Sequence, residues 1–250
     1  KAEGVELEED QQAAADAGVK AMISVGRPFL DHVIGELVAV GIDEVCLVIG
    51  PEHQVIRDYY DALPTQRVRI SYAIQEHPLG TADAVQAARD FAGEERVVVI
   101  NSDNHYPAAA LHPLVDAPAG ATLGFDRDAL VANSNIPAER VAAFALLDTD
   151  EHGQLRTIVE KPTPEQITQL GDRALVSMNC WLMTPTMVAA CGKVTPSARG
   201  ELELVDAIRD AVAAGEGVNV VAVKAGVLDL SHRGDITDVA RALAGREPQL

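Results

Sequence analysis

The chain has 250 residues, 48% of them hydrophobic and 23% charged, with 20 basic against 38 acidic side chains and a formal net charge of −18. That length suits one large α/β domain or two small ones and excludes a stapled miniprotein, while no apolar run approaches the roughly 18 residues of a membrane-spanning helix. The acidic excess excludes a broad basic field for nucleic acid, so any bound anion must be held by a few placed donors.

Three cysteines, Cys46, Cys180 and Cys191, are odd in number and lack metal-type spacing, which argues against a disulfide framework and a zinc site. The acidic run from Lys1 to Asp10 carries no signal-type apolar region. The expectation is a cytoplasmic protein.

From Pro28 to Val40 the residues Leu30, Val33, Ile34 and Leu37 recur at helical spacing, with Gly41 as the stop. Val45 to Ile49 is short, β-branched and closed by Gly50 and Pro51, which predicts a strand buried on both faces. A helix over Glu52 to Tyr60, a strand over Val68 to Ile74, a helix over Ala82 to Phe91, a strand over Val97 to Ile100 and a helix over Ala108 to Val115 complete an alternation that builds a parallel sheet with helices on both faces. After Ala121 the rhythm changes. Ala121 to Phe125, Val141 to Leu147, Leu155 to Glu160 and Leu175 to Met183 read as extended with few helices between them, which predicts a mixed sheet with antiparallel additions. A helix over Leu204 to Ala214, strands at Val218 to Val223 and Val227 to Leu230, and a helix over Ile236 to Leu243 close the pattern. No linker-like tract or internal repeat divides it, so a single domain over 1–250 is expected.

Ligands of open parallel sheets bind beyond the carboxyl ends of the strands, which directs attention to the residues just after each one. Lys20, in the loop before the first helix, can neutralise a phosphate or be a solvated surface charge. Gln75 ends a strand and offers both a donor and an acceptor for a nucleobase edge. Pro78 to Ala82 follow it: Gly80 lets a flat ligand approach the backbone, and Thr81 is placed to cap the next helix, though an ordinary turn has the same composition. Asp103, after Val97 to Ile100, and Asp229, after Val227 and Leu228, are carboxylates at strand ends that can hold Mg²⁺ or simply make turns. Glu160 and Lys161 precede Pro162 at the end of an extended segment, where an exposed ion pair is the default. Asn179 alternates with apolar neighbours on a strand and either points into a pocket or bonds within the sheet.

In their order, Lys20 to Pro28, Gln75 with Pro78 to Ala82, Ser102 with Asp103, Val159 to Pro162, Asn179, Glu201 to Ile208 and Asp229 resemble the sugar-phosphate nucleotidyltransferases, or nucleotide-sugar pyrophosphorylases. The resemblance runs from Lys20 to Leu250. It implies an α/β fold of three layers, a doubly wound, mostly parallel mixed sheet of the Rossmann-like nucleotide-diphospho-sugar transferase type. It also implies Mg²⁺-dependent transfer of a nucleotidyl group from a nucleoside triphosphate, UTP or dTTP by preference, to a sugar 1-phosphate, with pyrophosphate released. The implied catalytic residues are Lys20, Asp103 and Lys161, the two lysines neutralising phosphates. Asp103 and Asp229 hold Mg²⁺; Gln75 and Gly80, with Thr81 beside them, meet the base; Glu160 and Asn179 meet sugar hydroxyls.

The family opens on a strand and a glycine-rich loop ending in Gly-Thr-Arg that holds the triphosphate, whereas this sequence runs from Lys1 through the Ala-rich stretch Glu6 to Ala17 into the Lys20 loop. A preceding segment of roughly 15 to 25 residues, one strand and its loop, is therefore expected. Two rival readings are a cytidylyl- or guanylyltransferase of the same fold and a non-catalytic nucleotide- or sugar-phosphate-binding regulatory protein. No nucleic acid or membrane partner is expected; a homo-oligomer is left open.

Overall fold

The computed structural model describes residues 19–171 and 174–250; the stretch Glu6 to Ala17 and Gly18 lie outside the described residues. A 3₁₀ turn at Lys20–Met22 leads into α1 (Phe29–Ala39), which stops at Val40 and Gly41, the glycine taking φ +87°. Then follow β1 (Glu44–Ile49), α2 (Gln54–Ala62), β2 (Arg69–Ile74), α3 (Thr81–Ala87), α4 (Arg89–Ala92), β3 (Val97–Val99), β4 (Asn104–His105), α5 (Ala108–Val115) and β5 (Gly120–Phe125). The second half runs α6 (Arg127–Asn133), α7 (Ala138–Val141), β6 (Leu146–Thr149), β7 (Leu155–Val159), α8 (Pro164–Leu170), β8 (Leu175–Met183), α9 (Pro185–Cys191), α10 (Leu204–Ala213), β9 (Val218–Val223), β10 (Leu228–Asp229), a 3₁₀ turn at Arg233–Asp235 and α11 (Ile236–Leu243).

The expected mixed sheet is present. Its order is β7-β6-β8-β5-β9, with β5 and β9 parallel and the other neighbours antiparallel, and β3 pairs antiparallel with β8. β1 and β2 form a separate parallel pair, and β4 pairs antiparallel with β10. The long strand β8 shows why there are three layers. Its alternate residues Val176, Met178, Cys180 and Leu182 face one core, shared with α1, α5 and α11, while Trp181 and Met183 face a second, shared with α3, α9 and α10. Fully burying side chains such as Trp181 and Phe125 stabilises by roughly 2 kcal/mol each or more.

Two expectations fail. Among the described residues the β1–β2 and β5–β9 pairings are parallel and the rest antiparallel, so the sheet is mixed rather than mostly parallel, and β3, expected in a parallel sheet, pairs antiparallel with β8. Helices α6, α7 and α8 interrupt the stretch read as extended, α9 follows it, and Val141, expected to begin a strand, ends α7 instead. Local capping wins over apolar content there. The Asp126 carboxylate accepts from Ala129 N, Thr163 and Gln166 form a reciprocal capping box, and Thr184 accepts from Met187 N, with Pro164 and Pro185 in the first turns.

Candidate active site

Two very short strands build the centre. Asn104 lies opposite Asp229 and His105 opposite Leu228, and Leu230 N donates to Asp103 O at 2.8 Å, so the β4–β10 ladder sets Asp103 beside Asp229. The Ser231 hydroxyl lies 3.0 Å from Asp229 Oδ2 and 3.4 Å from Asp103 Oδ2, sharing one proton between the two carboxylates. Lys20 Nζ donates to Ser231 O at 2.7 Å, which brings the first loop to the same place. Burial, and after it the charge of Asp229, push the Asp103 carboxyl above its ordinary pKa, while Lys20 and Ser231 pull the other way.

Asp229 is the more committed of the pair. Its backbone is held by the Asn135 amide, which donates to Asp229 O at 2.7 Å and accepts from Asp229 N at 2.8 Å, as a strand partner would. Its Oδ1 accepts from Ser231 N at 3.0 Å and from Arg140 Nη2 at 2.9 Å. Arg140, on the one-turn helix α7, also reaches Asp235 at 3.3 Å and His232 Nδ1 at 2.9 Å. Asp229, His232 and Asp235 converge as three metal-type ligands would. The guanidinium among them already supplies the positive charge.

A hard divalent cation suits the donors at Asp103: an all-oxygen set of Asp103, the Ser231 hydroxyl and Asp229 Oδ2, in which burial first and the Asp229 charge second raise the Asp103 pKa. Asp103 would be the principal ligand. The share of Asp229 rests on Oδ2, which accepts from the Ser231 hydroxyl and the Asn104 amide, because Oδ1 is held by the Arg140 guanidinium.

Asn179 lies in the sheet, on β8. The register of β8 against β5 shifts between Ser177 and Trp181, and within that irregularity Asn179 takes φ +55°. Tyr106, one residue past β4, donates its hydroxyl to Met178 O, and Thr122 donates to Cys180 O at 3.0 Å, so the carbonyls on either side of Asn179 are pinned. Tyr106 is close enough to Asp103 and Asp229 for their charges to raise its pKa, though burial contributes most.

The Gln75 group is assembled around a different partner. Gln75 Nε2 donates to Gly80 O at 3.0 Å and to Asp83 Oδ2 at 2.8 Å. A Cβ on Gly80, which has φ +133°, would lie 2.4 Å from Leu202 O, so the missing side chain already serves the Leu202 backbone. Thr81 corrects the sequence reading. It does not cap its own helix α3; its hydroxyl accepts from Leu204 N at 2.9 Å and so caps α10, because the Leu79–Leu202 and Leu202–Ala82 backbone bonds draw the start of α10 over the turn.

Glu160 is exposed and 3.7 Å from Arg209, which also donates to Ile158 O at 2.7 Å; the ion pair is with Arg209 rather than Lys161. Lys161 is exposed and takes φ +45°. Lys161 and Asn179 are the residues other than glycine with positive φ among those described, and both carry chemistry in the sequence reading. Such conformations cost energy and concentrate at functional sites.

Lys20, Asp103 and Asp229 are thus joined in one network through Ser231, and no hydrogen bond among the described residues links Asn179 to it. Gln75, Gly80 and Thr81 form a second group, and Glu160 a third; no hydrogen bond or ion pair among the described residues links those two groups to the carboxylates. Sequence reasoning missed Arg140, Ser231, Asn135 and Tyr106. Ser231 had a signal, two positions beyond Asp229, whereas Arg140 lies 89 positions from its partner.

The comparisons agree on the family. The family described as Nucleotidyl transferase matches residues 16–244. Among curated proteins, the chain is 28% identical over 223 residues to a low-salt glycan biosynthesis nucleotidyltransferase of Haloferax volcanii, covering 88% of this chain and 59% of that protein. It is 25% identical over 229 residues to a UTP–glucose-1-phosphate uridylyltransferase of the same organism, covering 90% of this chain and 87% of the relative. It is 28% identical to a glucose-1-phosphate thymidylyltransferase of Streptomyces griseus, covering 89% of this chain and 59% of the relative. The chain therefore spans about three fifths of two of these relatives. Among solved structures, a UDP-glucose pyrophosphorylase from Acinetobacter baumannii superposes with TM-score 0.72 at 18% identity, over 92% of this chain and 87% of that one. A UDP-glucose pyrophosphorylase complexed with UDP-glucose gives TM-score 0.72 at 16% identity, over 91% of each chain. These likenesses establish the α/β fold with its mixed sheet, and the family match establishes the lineage: the chain belongs to the nucleotidyl transferase family, among the sugar-phosphate nucleotidyltransferases.

Proposed function

We propose that the protein transfers a nucleotidyl group from a nucleoside triphosphate, UTP or dTTP by preference, to a sugar 1-phosphate of the glucose 1-phosphate type. An oxygen of the sugar phosphate attacks the α-phosphorus, a new P–O bond forms, and the bond to the β-phosphate oxygen breaks with pyrophosphate carrying away the electron pair. The observation that carries this reading is the Asp103–Asp229 pair with Lys20 tied to the Ser231 between them. Such a displacement needs alignment and charge neutralisation more than a covalent nucleophile.

Mg²⁺, held principally by Asp103, would supply charge neutralisation across the phosphates. Lys20 adds a positive charge beside the carboxylates, and Arg140 and Asn135 keep Asp229 in one orientation. Gln75 and Gly80 are assigned to the base, with Thr81 supporting that turn from the α10 end. Glu160 and Asn179 are assigned to the sugar, and Lys161 to its phosphate. The uridylyl- and thymidylyltransferase relatives support the choice of base. Among the described residues no helix is long and apolar enough to cross a membrane. The free thiols Cys46, Cys180 and Cys191 fit the reducing, cytoplasmic setting assigned to the protein.

The test is pyrophosphate release over UTP, dTTP, CTP and GTP with several hexose 1-phosphates and Mg²⁺. Release should be fastest with UTP or dTTP. Release confined to CTP or GTP would reassign the base, and nucleotide binding without release from any pair would replace the enzyme by a binding protein.

A further inference from the structure

On the side of β4 that His105 faces lies a cavity that the proposed reaction does not use. Strand alternation sends Asn104 towards Asp229 and His105 the other way, to Glu36 on α1 at 3.3 Å. Around His105 and His32 lies a half-open pocket of about 210 Å³, with Arg67, Arg246 and the segment that follows Arg246 at its rim. That volume holds roughly seven waters at liquid density, or a small ion with part of its hydration.

The wall is built rather than incidental. A Cβ on Gly35 would lie 2.8 Å from Pro248 Cβ, so α1 and the Pro248 segment are in direct contact, and Gln66 N donates to Leu250 O at 3.0 Å, fastening that segment beside Arg67.

His32 is 4% exposed, lines the cavity, and its Nε2 has no hydrogen-bond partner. A buried polar atom left alone is costly, which points to an occupant. Charge decides the kind. Glu36 is already taken up by His105 and by Ala108 N at 2.6 Å, and Glu247 leans towards Arg27 at 4.0 Å. Arg67 and Arg246 form no ion pair among the described residues. These ligands do not converge as a metal site requires; the group among the described residues that does is the one Arg140 fills. The guanidinium of Arg67, that of Arg246, whose charge also reaches Glu36 but which makes no ion pair with it, and one buried imidazole match the acceptor oxygens of an anion.

We propose that this cavity binds a small tetrahedral oxyanion of the phosphate class, held by His32 Nε2–H and by the guanidinium groups of Arg67 and Arg246. Burial and the neighbouring His105 lower the pKa of His32, so its ring is neutral near pH 7 and contributes one N–H donor while the arginines carry the charge.

The experiment is calorimetric titration of the whole chain with inorganic phosphate in a phosphate-free buffer, paired with ¹⁵N spectra of the histidine rings. Saturable binding is expected, with a shift of the His32 Nε2 resonance. Arg67→Ala and Arg246→Ala, both at exposed positions and so harmless to the fold, should each weaken binding about tenfold, the scale of losing one charge-assisted contact. Lys20→Ala should leave this binding unchanged. The proposal is overturned if no saturable binding is seen, if the Arg67→Ala/Arg246→Ala double variant still binds, or if Lys20→Ala alone abolishes it, which would put the phosphate at the catalytic face.

Discussion

Asp103 carries a tension between stability and function. Its pKa is raised in the folded state, so between the unfolded and folded values the folded protein binds more protons, and stability falls as pH rises through that window. At neutral pH the ionised carboxylate is therefore a standing cost in the metal-free protein. Asp103→Asn should raise the metal-free Tm by a few degrees and abolish Mg²⁺-dependent pyrophosphate release; a lowered Tm, or normal turnover, would remove Asp103 from the role assigned to it. Lys161 offers the complementary case. A lysine at φ +45° pays roughly 1 kcal/mol that glycine would not, while glycine loses a similar amount in unfolded-state entropy. Lys161→Gly is thus expected to leave Tm nearly unchanged while raising KM for the sugar phosphate. An unchanged KM would mean that the strained lysine touches no substrate. The sequence could expose both residues because each lies within a few residues of a strand end. It could not expose Arg140, whose relevance arises only when the one turn of α7 is folded against the Asp229 loop.

Among the elements, those with a sustained apolar period were legible. α1 and the strands β1, β2, β5 and β9 stand close to where the pattern places them, because each presents enough apolar residues to reveal its buried faces. The elements missed are short. Seven-residue helices such as α8 hold too few apolar positions to show a stripe, and their signal lies in caps, Thr163-Pro164 and Thr184-Pro185, which call for capping chemistry rather than periodicity. β4, two residues long, has no period at all; pairing with β10, which lies within the extended piece expected at Val227 to Leu230, makes it a strand, and the ladder sets Asp103, just before β4, beside Asp229. The Gly80–Thr81 junction shows an element fixed from outside. Thr81→Val should remove the α10 cap and cost about 1 kcal/mol. Gly80→Ala should cost more, since its Cβ would meet the Leu202 backbone at 2.4 Å and φ +133° is strained for alanine. Thermal unfolding of the two variants checks the ranking; if Gly80→Ala proves the milder, the turn is free to move away from Leu202, and the Gln75–Gly80 contact is not a rigid part of the base site.

Across the whole molecule, net charge and site act in opposite directions. The chain carries a formal −18, so a triphosphate approaching from a distance is repelled, and attraction begins only near the placed cation Lys20. The two ranges respond differently to salt. The Debye length shrinks from about 30 Å at 0.01 M to about 10 Å at 0.1 M, which removes most of the long-range repulsion, whereas contacts at hydrogen-bond distance are screened much less. The association rate of a nucleoside triphosphate, followed by stopped flow, should therefore rise with salt over that range. A protein with a basic binding field shows the reverse, because screening there weakens the steering attraction. If the measured rate falls with salt, the local field around Lys20 governs the approach from afar, and the acidic surface has no part in selecting the form in which the nucleotide arrives. If it rises, the same reasoning extends to the substrate: a triphosphate with part of its charge already neutralised by Mg²⁺ meets less repulsion than the free anion, and its association should depend less steeply on salt.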